Sequence, residues 1–218
     1  MIMLGLLEKD FRLLKGQKNF FLIILLITVF LSLNSEDNFA VTYLTFIAGF
    51  MTISSFGYDD NGNCMPFLLT LPVSRRLYVK SKYVLGFLLT FIGWMAGMVI
   101  STVTAFLHKA PPTTEAVLFQ LAWVFFWMIL LSFVLPMLFR FGAEKGRMAT
   151  LAMMLVFMAI VFAISKLAEG MGMDVDACLD ALIGQRIAVL IAGLAAVTLI
   201  ILLISYSISA KIIQKKEY

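Results

Sequence analysis

Charged residues are scarce here, at 14% of 218, while 62% are hydrophobic and the mean hydropathy is +1.00. A soluble domain carries about a quarter charged residues, so the shortage excludes a water-soluble globule and predicts an integral membrane protein. Only one histidine, His108 beside Lys109, and two cysteines, Cys64 and Cys178, are present, with no metal-ligand spacing. The topology argued below sets the cysteines on opposite sides of the membrane, where they cannot pair. A phosphate-binding loop is missing: "GAEKG" at 142–146 lacks both the spacing and the Lys-Ser/Thr ending. The middles of the long apolar runs hold no Asp, Glu, Lys or Arg, which argues against a proton relay and an intramembrane hydrolase. No stretch is left over for a soluble domain. The chain is therefore expected not to be an enzyme, to carry no cofactor or metal of its own, and to take its energy from another chain.

What is present is a series of apolar runs. A helical span needs about 20 mostly apolar residues, and six segments qualify, at about 19–35, 39–57, 83–107, 116–139, 148–167 and 186–210. The first is the weakest, since its strictly apolar part, Phe20 to Leu33, covers only about 21 Å. With both termini on the cytoplasmic side, fourteen of the seventeen Lys and Arg residues face inward, and only Lys109, Lys166 and Arg186 face outward. That bias sets the expected orientation. The apolar run after residue 18 has no small-residue cleavage site, so the first span is expected to stay in the mature protein.

Residues 1–18 read as a separate feature. Leu4, Leu7, Phe11 and Leu14 recur at helical spacing while Glu8, Lys9, Arg12 and Lys15 take other faces. This predicts an amphipathic helix along the inner leaflet, a plain cytoplasmic stub being the alternative. In the fifth connector, Asp174 as a cap and Val175, Cys178, Leu179 and Leu182 predict a short outer helix at the membrane surface.

The third span carries Gly86, Thr90, Gly93, Gly97, Ser101 and Ala105 on one stripe, the small-residue pattern that lets helix backbones approach closely. Gly86, Gly93, Gly97 and Ser101 fit either packing within the chain or a dimer seam. Pro136 is expected to kink or loosen the fourth span. That span also has Trp123, Phe125, Phe126, Trp127 and Phe133, and the fifth has Met148, Met153, Met154 and Met158. Such side chains suit either a soft lining for a large amphipathic cargo or lipid-facing bulk.

The most informative stretch is "YDDNGNCMPFLLTLPVSRRLYVKSKY", residues 58–83. The topology puts its connector on the cytoplasmic side. Pro66 fits a first helical turn, Met65, Phe67, Leu68 and Leu71 form an apolar surface, Pro72 ends the turn and Ser74 can cap the next helix. A two-turn helix is not stable alone in water, so it needs a surface to press against. Arg75, Arg76, Lys80 and Lys82 are expected to anchor the third span at the lipid headgroups.

These residues resemble the cytoplasmic segment of small bacterial permeases of the ATP-binding-cassette type-2 exporter class. Tyr58, Asp59, Asp60 and Asn61 match its start, Leu71, Pro72, Val73, Ser74 and Arg75 its centre, and Val79, Lys82 and Tyr83 its end. The six-span count and the N-terminal helix agree with that class over the whole chain. It is most similar to permeases that export amphipathic peptides such as phenol-soluble modulins, or that give self-immunity to peptide antibiotics.

The resemblance implies an all-α integral membrane protein, residues 1–218 forming a single transmembrane domain. It has six transmembrane helices, an N-terminal interfacial helix over 1–18 and a short cytoplasmic coupling helix between spans 2 and 3. It implies a bacterial cytoplasmic membrane and a second permease copy or close paralogue. It also implies a separate ATPase subunit that binds ATP and magnesium, an amphipathic peptide cargo moved outward, and no nucleic acid. Residues Asp59, Asp60, Met65, Phe67, Leu68, Leu71 and Arg75 would couple to the ATPase. The alternative is an ATPase-independent membrane protein giving immunity to peptide antibiotics, or a scaffold.

Overall fold

The computed structural model describes residues 2–34, 39–61, 74–109, 114–170 and 175–215. Every regular element among them is a helix: α1 (Ile2–Lys15), α2 (Lys18–Asn34), α3 (Phe39–Asn61), α4 (Arg75–Leu107), α5 (Thr114–Gly170) and α6 (Val175–Lys215). Among the described residues, four segments are long and apolar enough to cross a membrane, namely Phe39–Asp60, Arg75–Leu107, Gln120–Val156 and Val189–Lys215. A fifth is reached if Met3–Lys15 and Lys18–Leu33, which meet at 69°, count as one broken span. The chain is thus a multi-pass membrane protein. The weakness of the first expected span is visible here: α2 alone has 17 residues, or about 25 Å of helix against a hydrocarbon core of about 30 Å.

The expected fourth and fifth spans share α5, which is broken at Gly142 with φ 82 and ψ 177. That φ suits glycine, whose missing side chain removes the usual clash. The chain doubles back there. A methyl group on Gly146 would fall 3.2 Å from Leu138 Cα, whereas eight residues of continuous helix are about 12 Å long. The first arm of α5 is 114–141 and the second 143–170. Pro136 lies within the first arm, and the sharp break falls at Gly142. The expected short outer helix is also replaced, because α6 runs unbroken from Val175 to Lys215.

The core forms where α3, α4 and the first arm of α5 meet. Ile53, Val79, Leu131, Leu135, Leu138 and Phe139 are almost wholly buried there. The small-residue stripe of α4 lies against α3 of the same chain. A methyl on Gly97 would fall 2.6 Å from Val41 Cα, and one on Gly93 2.6 Å from the Leu44 carbonyl oxygen. On Gly86 it would meet Leu131 Cδ1 at 2.9 Å. Ser101 is buried near the far end of the stripe, where Ser32 and Thr104 hydroxyls meet at 3.2 Å. Several side-chain hydroxyls within the helices return to their own backbone, as Thr45 does to the Val41 carbonyl at 2.6 Å and Thr90 to the Gly86 carbonyl at 2.7 Å, which satisfies them inside the apolar bundle, whereas the buried Thr52 hydroxyl has no hydrogen-bond partner among the described residues.

α1 also departs from expectation. Leu7 and Leu14 of its apolar stripe are buried against Met51, Leu85 and Leu89, but Leu4 is 70% exposed and Phe11 38%. The protein-facing side is instead Leu6, Leu7, Asp10 and Leu14.

Candidate functional site

The end of α3 and the start of α4 flank residues 62–73, and their polar side chains make most of the long-range bonds at this end of the bundle. Ser74 caps α4, its hydroxyl accepting the Leu77 N–H at 3.2 Å. Lys82, two turns along, is wholly buried. Its ammonium donates to both oxygens of Asp10, at 3.0 and 3.1 Å, and to Ser55 Oγ at 2.9 Å. It also pairs with Asp59 Oδ2 at 2.7 Å. The Tyr78 hydroxyl donates to the same Asp59 oxygen at 2.9 Å. Lys9 closes the set, bonded to the other oxygen of Asp59 and 3.3 Å from Asp10 Oδ1.

Two lysines and two aspartates, from α1, α3 and α4, thus neutralise one another, with Lys82, Asp10 and Asp59 buried and Lys9 partly exposed. Burying a charge is costly unless it is paired and hydrogen-bonded, and Asp10 and Asp59, 1% and 2% exposed, have both kinds of partner. Burial works against the Lys9 charge, but Asp10 first and then Asp59 outweigh it and hold its pKa above the usual lysine value. Its ammonium therefore stays charged at neutral pH.

Three consecutive residues at the end of α3 bond in three directions. Tyr58 accepts from the Gln17 amide at the α1–α2 corner. Asp59 holds Lys9 and Lys82. Asp60, half-buried, accepts the Ala143 N–H at 2.7 Å. The start of α4 binds the last helix: Arg75 Nη1 donates to the Ile213 and Gln214 carbonyls, each at 3.1 Å. This places a cation on the carbonyl end of α6, where the helix dipole favours it. Farther along, the Tyr83 hydroxyl lies 2.6 Å from Ser205 Oγ and 2.9 Å from Ser209 Oγ.

Several expectations are revised by this geometry. Lys82 is not a headgroup anchor, because its ammonium is sealed between α1 and α3. Asp59 is not open to a partner chain, because its carboxylate is enclosed by Lys9, Lys82 and Tyr78. Asp60 and Arg75 spend bonds within the chain, on the second arm of α5 and on the end of α6. The expected coupling residues Met65, Phe67, Leu68 and Leu71 lie outside the described residues. Reading the sequence missed Asp10 and the inward course of Lys82, although both leave a signal. Asp10 shares a helix face with Leu6, Leu7 and Leu14, and Lys82 continues the stripe of Gly86, Gly93 and Gly97 that faces α3.

Higher in the bundle, two concave surfaces open beside α3. A groove of 560 Å³ is walled by Phe20, Phe46, Ile47, Phe50 and Met51, with Gln17 and Ser54 also on its lining. A smaller cavity of 170 Å³ lies between α3 and the first arm of α5, where Phe39, Tyr43, Phe46, Trp123, Phe126 and Trp127 meet. The Trp127 indole lies directly over Gly49, which leaves it room, and packs edge-on against Phe46 at 5.0 Å between ring centres. The aromatic side chains of the fourth expected span are thus divided, with Trp127 buried, Trp123 and Phe126 on the cavity, and Phe133 53% exposed. Of the methionines, Met148 and Met158 stand 70% and 69% exposed.

No curated protein and no solved structure matches the chain. One family model, described as ABC-2 family transporter protein, matches residues 5–214. That range takes in the paired lysines and aspartates, both flanks of residues 62–73 and nearly all of the six helices, and the chain therefore belongs to the ABC-2 family of transporter proteins.

Proposed function

We propose that this chain is the permease of a peptide exporter in a bacterial cytoplasmic membrane, with both termini on the cytoplasmic side. Membership of the family makes it a permease subunit of an ABC transporter, working with an ABC ATPase subunit. In this reading the ATPase binds ATP and magnesium and this chain catalyses nothing itself. Two copies, or one copy and a close paralogue, form the path, and each crosses the bilayer six times, as α2, α3, α4, the two arms of α5, and α6. The fourteen inward lysines and arginines support the orientation.

The observation that carries the cargo class is the groove beside α3. Its wall is apolar and aromatic, while Gln17 and Ser54 give it polar groups. A cargo that is greasy along one face and polar along the other matches such a surface, and an amphipathic helical peptide has that form. In reconstituted complex, a synthetic leucine- and lysine-rich amphipathic helix should raise ATP turnover, and Phe46→Ala with Phe50→Ala should cut that stimulation several-fold. Equal stimulation of the doubly substituted complex would remove the groove from the cargo path.

Residues 63–72 are the coupling segment in this scheme. The apolar side chains of Met65, Phe67, Leu68 and Leu71 would press into the ATPase, and closure of two ATPases would drive the permeases between conformations. Phe67→Asp is expected to abolish permease-stimulated ATP turnover while the protein still inserts and purifies. Full turnover in that variant would place the ATPase contact elsewhere. An immunity or scaffold protein that works without an ATPase would show no nucleotide-dependent step at all.

A further inference from the structure

Asp60 stands at the junction between the end of α3 and the turn of α5. Gly142 is the one residue of α5 with non-helical backbone angles, so the second arm begins immediately after it with amide groups that no preceding helical turn can satisfy. Asp60 Oδ2 accepts the first of these, from Ala143, at 2.7 Å. The same oxygen lies 2.9 Å from the point where a methyl on Gly142 would sit. The carboxylate therefore fills the space left by the glycine and acts as an N-cap supplied by another helix. One turn earlier on α3, Gly57 lies beneath the guanidinium of Arg147, so the contact has two points along the second arm. Beyond its base the arm presents Met148, Leu151, Leu155 and Met158 outward, all between 57% and 70% exposed.

We infer that Asp60 is the positioning residue through which movement of the cytoplasmic end of α3 is carried to the second arm of α5, with Gly142 as the pivot. The inference rests on the permease reading above. Tyr58 and Asp59 tie α3 to α1, α2 and α4, which pack along its length. The second arm starts on the far side of a sharp turn, and Asp60 gives it a direct bond to α3 at that turn. A rotation at the end of α3 would pull on the Ala143 N–H and change the angle between the arms.

The test uses the full-length permease in complex with its ATPase in lipid nanodiscs. Cys64 and Cys178 are replaced by serine, and spin labels are placed at Phe87 on α4 and Leu155 on the second arm, 48% and 69% exposed. Pulsed dipolar spectroscopy then compares the nucleotide-free and vanadate-trapped states. The wild-type background should show a shift in distance. Asp60→Ala should lose more than half of it, and Asp60→Asn, which keeps a capping oxygen, should restore it. If Asp60→Ala fails to assemble, Ala143→Pro serves instead: it removes the same N–H at a first-turn position where proline is tolerated, and it should reproduce the loss. An undiminished shift in Asp60→Ala or Ala143→Pro overturns the inference and leaves the permease reading standing. So does an Asp60→Ala permease that folds but no longer co-purifies with the ATPase, because Asp60 would then belong to the docking surface. Absence of any nucleotide-dependent shift in the wild-type background overturns the permease reading, and this inference with it.

Discussion

Lys82→Met is expected to lower folding stability by about 3–5 kcal/mol, the usual cost of removing one partner from a buried ionic pair. The reason lies in what remains. Asp10 and Asp59 are 1% and 2% exposed, and without Lys82 they share only the ammonium of Lys9. Thermal unfolding of the purified permease in detergent, followed by loss of the monodisperse chromatographic peak, should show a midpoint roughly 10 °C or more lower. The double variant Lys82→Met with Asp10→Asn should recover most of the loss, because Asp59 keeps Lys9 and the Tyr78 hydroxyl. A lysine that merely snorkels to headgroups would accept methionine at little cost. A single variant melting within a few degrees of wild type would therefore show that the network does not hold the fold.

The second large effect is expected at Gly97. A side chain there would begin 2.6 Å from Val41 Cα and 3.0 Å from the Ala40 carbonyl oxygen. Both neighbours are backbone and cannot rotate aside. Gly97→Val must then force α3 and α4 apart, costing about 3 kcal/mol, the upper end of the usual overpacking range. Gly193→Val is the control, since nothing lies within 4 Å of that position; it should be neutral. Measured on single chains in detergent, the Gly97 effect should appear as lost stability. If Gly97→Val instead changed only the oligomeric state and left the unfolding midpoint alone, the stripe would be a seam between copies.

Much of the architecture was legible in the sequence because the bilayer constrains helices severely. The ends of α2, the presence of α3 and α4, the Ser74 cap and the close approach along Gly93 and Gly97 all follow from apolar length, capping chemistry and small-residue spacing. The turn at Gly142 was less legible. "FRFGAEKG" has the composition of any short connector, and only the positive φ shows that one glycine suffices to reverse the chain. At the site, Asp59, Asp60, Arg75 and Lys82 stood out in the sequence, but their partners within the chain did not. A cation near the start of a span is usually a headgroup anchor, and an acidic pair beside a cytoplasmic loop usually faces water. Here the deciding facts were the partners on other helices, Asp10 for Lys82 and Ala143 for Asp60. Pairings of that kind depend on which helix faces which, and periodicity within one helix does not encode it.

The paired lysines and aspartates also bear on how the protein is made. Asp10 and Asp59 leave the ribosome before Lys82, whose ammonium bonds both oxygens of Asp10 and pairs with Asp59. Until α4 has entered the membrane, the nascent chain carries two carboxylates that only Lys9 can neutralise, and Leu85 and Leu89, against which Leu7 and Leu14 of α1 are buried, are not yet in place. Arrival of the third long apolar segment would then lock the preceding helices in one step, so chains truncated before residue 82 should be cleared by membrane quality-control proteases faster than chains truncated after α4.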